Sequence, residues 1–179
     1  KEEGIFYSSY DKPEGSELSE MTDQHKLYYH KLGTPQSEDE LIFGGTEEEK
    51  HRYVGASVTQ DGRYLFISAS KTTSGNVSFL KDLDRPNSPL VAVDQDYSMD
   101  SYLLDSEGST FFIVTNKEAP NQKLVKATAK HPNEQYWIDV IPETENVLSV
   151  SSGGGYFFAR YMIDAITQVV QYNFKGVNI

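Results

Sequence analysis

The sequence contains no cysteine, and it has only four histidines and one tryptophan among its 179 residues. Without thiols, the chain cannot form a disulfide framework, a thiolate metal site or a cysteine nucleophile. The compartment stays open, because a cysteine-free chain suits the cytoplasm or the periplasm equally well.

Basic residues are also scarce, and long apolar runs are missing. The chain has 16 Lys and Arg against 27 Asp and Glu, a net charge of −11. Nucleic acid and anionic membranes are not expected as partners, because neutralising phosphate requires Lys and Arg. No apolar run approaches the roughly 18 to 20 residues of a membrane helix. The first residues, KEEG, include neither Met nor a signal sequence, so we interpret the chain as a piece of a longer protein.

The sequence has no capped apolar stripe of helical period, but it has a repeated strand pattern. A Gly-centred turn precedes an aromatic and β-branched run at Gly62, Gly108 and Gly155, 46 and then 47 residues apart. A truncated copy starts at Gly4. Units of about 45 residues with four short strands are typical of β-propeller blades. A sandwich or an open meander would explain the strands but not the period.

We therefore predict an all-β chain, a β-propeller fragment of about three to four blades with four antiparallel strands each. The units are a partial blade at 1–50, blades at 51–97 and 98–144, and a partial blade at 145–179 that stops after Gly176 before a fourth strand. Two unclosed blade edges are expected to promote self-association of the isolated chain. The predicted strands are 5–10, 25–32, 40–44, 53–59, 63–70, 77–83, 90–93, 101–104, 110–115, 123–128, 136–141, 147–151, 156–163 and 168–174.

The residue sequence of the repeats resembles that of one family. GIFYSSY at 4–10 is followed by LYYHKLGT at 27–34 and QSED at 36–39, and GASV at 55–58 leads to DGRY at 61–64. DGRY alone occurs in many propellers, whereas the LYYHKLGT and QSED strings together are far more particular. Over its whole length, the chain resembles the propeller of prolyl oligopeptidases.

That resemblance implies part of a serine endopeptidase that cuts short peptides on the carboxyl side of proline. In such enzymes a seven-bladed propeller covers an α/β-hydrolase domain and restricts access to small substrates. This chain would be the non-catalytic middle of the propeller, inactive alone, and the hydrolase domain absent from it would be its partner together with short proline-containing peptides. The alternative is a non-enzymatic propeller that serves as a protein-interaction scaffold.

No catalytic residue, cofactor or metal site is predicted in the chain. It has no G-x-S-x-G nucleophile elbow, and the Ser-rich stretch 149–153 lacks the leading Gly. His25 and His30 stand an odd number of positions apart on a strand, so they point to opposite faces and cannot share an ion. His51 and His131, flanked by charge or proline, are predicted to be solvated.

Residues 94–105 have the oxygen spacing of a calcium loop. Met99 stands where such a loop needs its turn Gly, and the twelfth position is Asp105 rather than a bidentate Glu. We interpret the segment as an acidic connection between blades, with a calcium loop as the alternative.

The resemblance also implies that the propeller face lends side chains to a distal substrate pocket. Alignment through Gly55 and the DGRY string places two of these contributions at Tyr53 and Thr73, which differ in type from the Met and Cys of the animal enzymes. The alternative is an ordinary aromatic at a strand start and an ordinary loop threonine. The polar loop 11–24 is implied to take part in gating.

Overall fold

The structure is a computed structural model that describes residues 3–12, 15, 22–47, 50–85 and 87–179. Within these residues the two helices are short 3-10 turns, Gln36–Glu38 and Glu134–Tyr136, and no helix is long and apolar enough to span a membrane. The all-β prediction is confirmed. The strands are β1 (Gly4–Ser9), β2 (Lys26–Lys31), β3 (Glu40–Phe43), β4 (Tyr53–Val58), β5 (Tyr64–Ser70), β6 (Val77–Asp82), β7 (Val91–Asp94), β8 (Ser101–Glu107), β9 (Thr110–Thr115), β10 (Lys123–Thr128), β11 (Ile138–Ile141), β12 (Ser149–Gly153), β13 (Tyr156–Ile163) and β14 (Ile166–Asn173).

These strands form four antiparallel sheets in which neighbours along the chain pair with each other. The orders are β1-β2-β3, β4-β5-β6-β7, β8-β9-β10-β11 and β12-β13-β14. One sheet falls within each of the ranges 1–50, 51–97, 98–144 and 145–179. The last three strands of the two four-stranded sheets share a register, so that each paired position in β5, β6 and β7 has a counterpart in β9, β10 and β11.

Three of the hairpins turn at the repeated glycines. Gly62, Gly108 and Gly155 have φ angles of +74°, +56° and +81°, a left-handed conformation that glycine adopts without a Cβ penalty. Each turn joins the first two strands of its sheet, so the repeat in the sequence marks the same hairpin each time.

The core lies between successive sheets, which pack face to face. One cluster joins the first sheet to the second through Leu27, Phe43, Leu65 and Ile67. Two further clusters join the second sheet to the third and the third to the fourth. Because the central strands β5 and β9 are covered on both faces, they read as continuous apolar runs rather than as alternating ones.

Antiparallel pairing gathers the connections at two ends of the sheets. What we name the upper end carries the described segments 10–12, 22–25, 44–47, 50–52, 71–76, 95–100, 116–122 and 142–148. What we name the lower end carries the described segments 32–39, 59–63, 83–85, 87–90, 108–109, 129–137, 154–155 and 174–177.

Most strand ends lie within two residues of the prediction, but the predicted strand 101–104 extends to Glu107. The predicted strand 136–141 begins only at Ile138, because Tyr136 and Trp137 donate their backbone N–H groups to Asn133 and Glu134 in a 3-10 turn. The last sheet has three strands, as predicted, and beyond β14 only an isolated antiparallel bridge joins Asn178 to Tyr172.

The prediction that His51 is solvated is wrong. Its side chain is buried, with 2% exposure, and its ring lies 5.4 Å from that of Phe43 and 6.0 Å from that of Tyr97. Its Nε2 lies 2.7 Å from the Tyr97 hydroxyl. The flanking charges misled the sequence interpretation, because a connection between two sheets can turn one side chain inward while its neighbours face water.

Candidate functional site

Tyr53 lies at the upper end of the second sheet. It opens β4 and pairs with Ser70, the last residue of β5, and 49% of its surface is exposed. A tyrosine this exposed offers an apolar ring and a hydroxyl group to a ligand.

Two further aromatic rings continue from Tyr53 onto the first sheet. The His25 ring centroid lies 6.4 Å from that of Tyr53, and Tyr10 stacks on His25 at 4.9 Å. The backbone N–H of His25 donates to the carbonyl of His51 at 2.9 Å, which ties the two sheets together at this point. Tyr10, His25 and Tyr53 thus form what we call the aromatic row.

The sequence interpretation missed Tyr10 and His25 as members of this site. Tyr10 follows β1 and His25 precedes β2, so both lie at the upper end of a hairpin. The hairpin topology indicates that Tyr10 and His25 are neighbours, because it brings the end of one strand and the start of the next to the same edge. It does not indicate that the first sheet packs beside Tyr53. Most of the loop 11–24, to which gating was attributed, lies outside the described residues.

Thr73 is exposed at the same upper end, in the connection between β5 and β6. This connection is held against the next one along the chain. Gly75 donates its N–H to the Asp100 carboxylate at 2.8 Å, and Asn76 donates to the carbonyl of Met99 at 2.8 Å. The structure therefore places Tyr53 and Thr73 at one end of the same sheet, with no direct contact recorded between them.

A second layer supports this surface. The Lys71 ammonium lies 4.5 Å from the centre of the Tyr97 ring, a cation–π geometry. The Tyr97 hydroxyl in turn contacts the buried His51. Lys71, close to Thr73 in sequence, brings a positive charge to an otherwise aromatic and hydroxyl-bearing surface.

Partial burial lowers the pKa of His25 below its ordinary value of 6.5, because desolvation penalises the imidazolium form. The neutral ring also lies 3.0 Å from the Thr22 hydroxyl through its Nε2. A histidine whose folded pKa is lowered contributes stability that is present above about pH 6.5 and is lost as the pH falls through the folded pKa.

We predict that His25 titrates below pH 6.5 and that Tyr53→Ala moves its midpoint back toward that value. Removing the tyrosine ring admits water beside the imidazole and so reduces the desolvation. NMR titration of the His25 ring protons measures both midpoints, with Leu32→Ala at the lower end as a control. An unchanged midpoint in Tyr53→Ala would show that Tyr53 does not shield His25.

The remaining histidine and carboxylate candidates lie elsewhere and have protein partners. His30 contacts Asp39 through Nδ1 at 2.7 Å, and Tyr7 donates its hydroxyl to the same carboxylate at 2.6 Å. This hydrogen bond from Tyr7, reinforced by His30, lowers the pKa of Asp39. Within the described ranges, no group of three or more His, Asp or Glu side chains is placed to hold a metal ion.

The calcium-like segment runs from the end of β7 through the connection into β8, and two of its carboxylates, Asp94 and Asp100, accept hydrogen bonds from protein groups. Asp94 accepts hydrogen bonds from the Asp96 backbone and the Ser101 hydroxyl. Asp100 accepts from Gly75 and from the Asn116 side chain. Burial raises the pKa of Asp94. These carboxylates stabilise the contact between the second and third sheets.

The whole chain is similar to known proteins. Residues 1–178 match the family model described as prolyl oligopeptidase, N-terminal beta-propeller domain. The prolyl endopeptidase of Elizabethkingia meningoseptica is 51% identical over 98% of this chain and 25% of its own length. Prolyl oligopeptidase A of Galerina marginata is 31% identical over 97% of this chain and 25% of its own length.

Solved structures agree with the sequence matches. A prolyl endopeptidase structure from a mechanistic study of two such enzymes superposes with a TM-score of 0.86 at 28% identity, covering 99% of this chain and 25% of that one. Prolyl oligopeptidase B of Galerina marginata, bound to a 35mer substrate, gives 0.85 at 27% identity with the same coverage. The chain spans about a quarter of the length of these relatives. The propeller prediction is confirmed, and the chain belongs to the N-terminal β-propeller family of the prolyl oligopeptidases.

Proposed function

We propose that this chain is the non-catalytic propeller part of a proline-specific serine endopeptidase of the cytoplasm or the periplasm. The match to prolyl endopeptidases at 51% identity over 98% of the chain carries this proposal. The catalytic Ser, Asp and His belong to an α/β-hydrolase domain outside these residues. The chain itself contains no G-x-S-x-G elbow to present a nucleophilic serine.

The upper end is the part of the propeller that meets the substrate. Tyr10, His25 and Tyr53 provide stacked rings, and Thr73 adds a hydroxyl group beyond the end of β5. Rings of this kind pack well against the flat, apolar pyrrolidine of proline and against other apolar residues of a short peptide. The surface thus admits and orients short proline-containing peptides before cleavage by the hydrolase domain.

The activity is tested on the complete natural polypeptide in which these residues occur. It should cleave a chromogenic peptide after a Gly-Pro pair and be labelled by a serine-directed phosphonate, whereas the 179-residue chain alone should do neither. If the complete polypeptide fails both tests, the peptidase proposal is lost and a non-enzymatic interaction scaffold becomes the better account.

We predict that Tyr53→Ala in the complete polypeptide reduces kcat/KM for peptides with three or more residues before the cleaved bond. The expected loss is about threefold to tenfold, which corresponds to about 1 kcal/mol. The short Gly-Pro substrate should be cleaved at the original rate, because it does not reach the aromatic row. Leu32→Ala, an exposed change at the lower end, is the matched control. Equal losses on short and long substrates would contradict a distal pocket at Tyr53.

We also propose that the isolated chain self-associates through its terminal sheets. The outward side of the last sheet exposes Met162 and Val169, and the first sheet exposes Ile5. Apolar side chains beside free strand edges favour pairing with another chain. Light scattering should show a mass that rises with concentration, and Val169→Lys should lower it. A strictly monomeric species at high concentration would contradict the proposal.

A further inference from the structure

A cavity at the lower end lies between the third sheet and the last sheet. Its volume is about 660 Å³, within the range of roughly 300 to 1,000 Å³ that small-molecule sites occupy. Phe112 and Phe174 form apolar walls, and Tyr136 and Ile138 stand at the mouth with exposed side chains. The cavity is at the opposite end from Tyr53 and Thr73, so it is separate from the proposed substrate surface.

The cavity exists because this interface lacks groups that fill the preceding one. Between the second and third sheets, Tyr64 is buried and its ring meets that of Phe111 edge-on at 5.1 Å. The residue in the same register of the third sheet is Thr110, since Tyr64 pairs with Asp82 and Thr110 pairs with Thr128. A threonine leaves open the volume that a tyrosine ring would occupy.

A short connection at the lower end of the last sheet also leaves the space between the third and last sheets open. The connection 129–137 of the third sheet contacts the second sheet. Trp137 packs against the core between these two sheets, and the Asn133 side chain donates to the Ala92 carbonyl at 2.6 Å. The corresponding segment of the last sheet is the short turn 174–177. It lies directly on β11, since a Cβ on Gly176 would stand 2.4 Å from the Val140 carbonyl oxygen.

A cation faces this space at a position that is apolar in the preceding interface. Leu80 pairs with Phe66 and Val91 and is 4% exposed. Its counterpart in the third sheet is Lys126, which pairs with Phe112 and Ile138 in the same register. Lys126 is half-buried. Its side chain lines the cavity and is available there to pair with an anionic ligand.

Within the described part of the chain, no ion pair joins Lys126 to a carboxylate. The exposed Lys175 is the second cation that lines the cavity, and Glu107 is the carboxylate of the lining. The lining therefore holds two lysines and one carboxylate in a chain whose net charge is −11. The hydroxyl groups of Thr110 and Thr128 add hydrogen-bond donors to the same lining.

We propose that this cavity binds a small organic monoanion, a carboxylate on an aromatic or branched apolar body. The carboxylate pairs with Lys126 in the interior, and the apolar body packs between Phe112, Phe174 and Ile138. Because Lys126 and Lys175 outnumber Glu107 by one charge in the lining, the cavity favours one anionic group over two. This inference is independent of the peptidase proposal.

The probe for the test is 1-naphthoate, titrated by calorimetry into the complete natural polypeptide. We expect saturable binding at one site, and we expect the neutral analogue 1-naphthalenemethanol to bind at least about tenfold more weakly, as for loss of a charge-assisted hydrogen bond. Lys126→Met should weaken 1-naphthoate binding by a similar factor and should fold, because Leu80 occupies the counterpart position. Lys31→Met, an exposed lysine at the lower end, should bind as the original protein does.

A second variant tests the cavity itself. Thr110→Tyr restores the residue type of Tyr64 and should abolish binding while circular dichroism shows an unchanged fold. Absence of saturable 1-naphthoate binding would overturn the proposal, and so would equal affinity in Lys126→Met or equal affinity for the neutral analogue. If Thr110→Tyr does not fold, the Lys126→Met and neutral-analogue comparisons decide the outcome.

Discussion

Replacing Phe157 with alanine is expected to lower the free energy of unfolding by about 3 to 5 kcal/mol, the usual cost of removing a buried phenyl ring. Phe157 has 0% exposure. Its ring meets that of Phe112 at 4.8 Å and that of Phe174 at 4.6 Å, so it joins the third and last sheets. Loss of the ring removes apolar burial and also leaves a space that the surrounding strands cannot close.

The matched control is the next residue, Phe158, which is only half-buried and points to the other face of β13. Phe158→Ala should cost about 1 to 2 kcal/mol, in proportion to the smaller area removed from water. Urea unfolding at low protein concentration measures both values. If Phe157→Ala abolishes folding, Phe157→Leu provides a milder change at the same position. Equal losses at Phe157 and Phe158 would contradict a core between the last two sheets.

Gly75→Ala is expected to destabilise the chain by about 2 to 4 kcal/mol and to displace the connection that carries Thr73. Gly75 has a φ angle of +75°, and a Cβ on it would stand 1.6 Å from the backbone carbonyl oxygen of Tyr97. Both the left-handed conformation and the close approach therefore exclude a side chain. The substitution must push the connections 71–76 and 95–100 apart and break the hydrogen bond from Gly75 to Asp100.

Gly62→Ala separates these two causes. Gly62 has nearly the same φ angle, +74°, but nothing lies within 4 Å of its Cβ position. Its cost should therefore be the conformational strain alone, about 1 to 2 kcal/mol. Thermal or urea unfolding compares the two variants, and amide NMR shifts of residues 71–76 and 95–100 should change only in Gly75→Ala. If the two substitutions cost the same, the Tyr97 contact carries no energy.

The two glycines differ in how much the local sequence says about them. Gly62 was recognisable because its turn recurs at Gly108 and Gly155, and a repeated local signal needs no knowledge of the tertiary structure. Gly75 has no such signal. Glycine is required there because the Tyr97 backbone of the next connection lies against it. The residues around position 75 do not indicate this contact, because Tyr97 lies in a different connection.

The same contrast holds at the candidate site. Tyr53 and Thr73 followed from an alignment, whereas Tyr10 and His25 join Tyr53 only because the first sheet packs beside the second. His51 was misassigned for the related reason that its burial depends on Phe43 and Tyr97, which come from two different sheets.

The sequence by itself determined the all-β class, the blade-sized period and the family resemblance. Each of these depends on local patterns, on the two-residue alternation of strands and on turn residues that act within a few positions. Only the tertiary structure decided which upper-end side chains stand together, which carboxylates are used up in contacts between sheets, and that Lys126 faces a cavity where Leu80 faces a packed core. Those features arise between sheets, where residues far apart in the chain share one space and no local pattern records the partner.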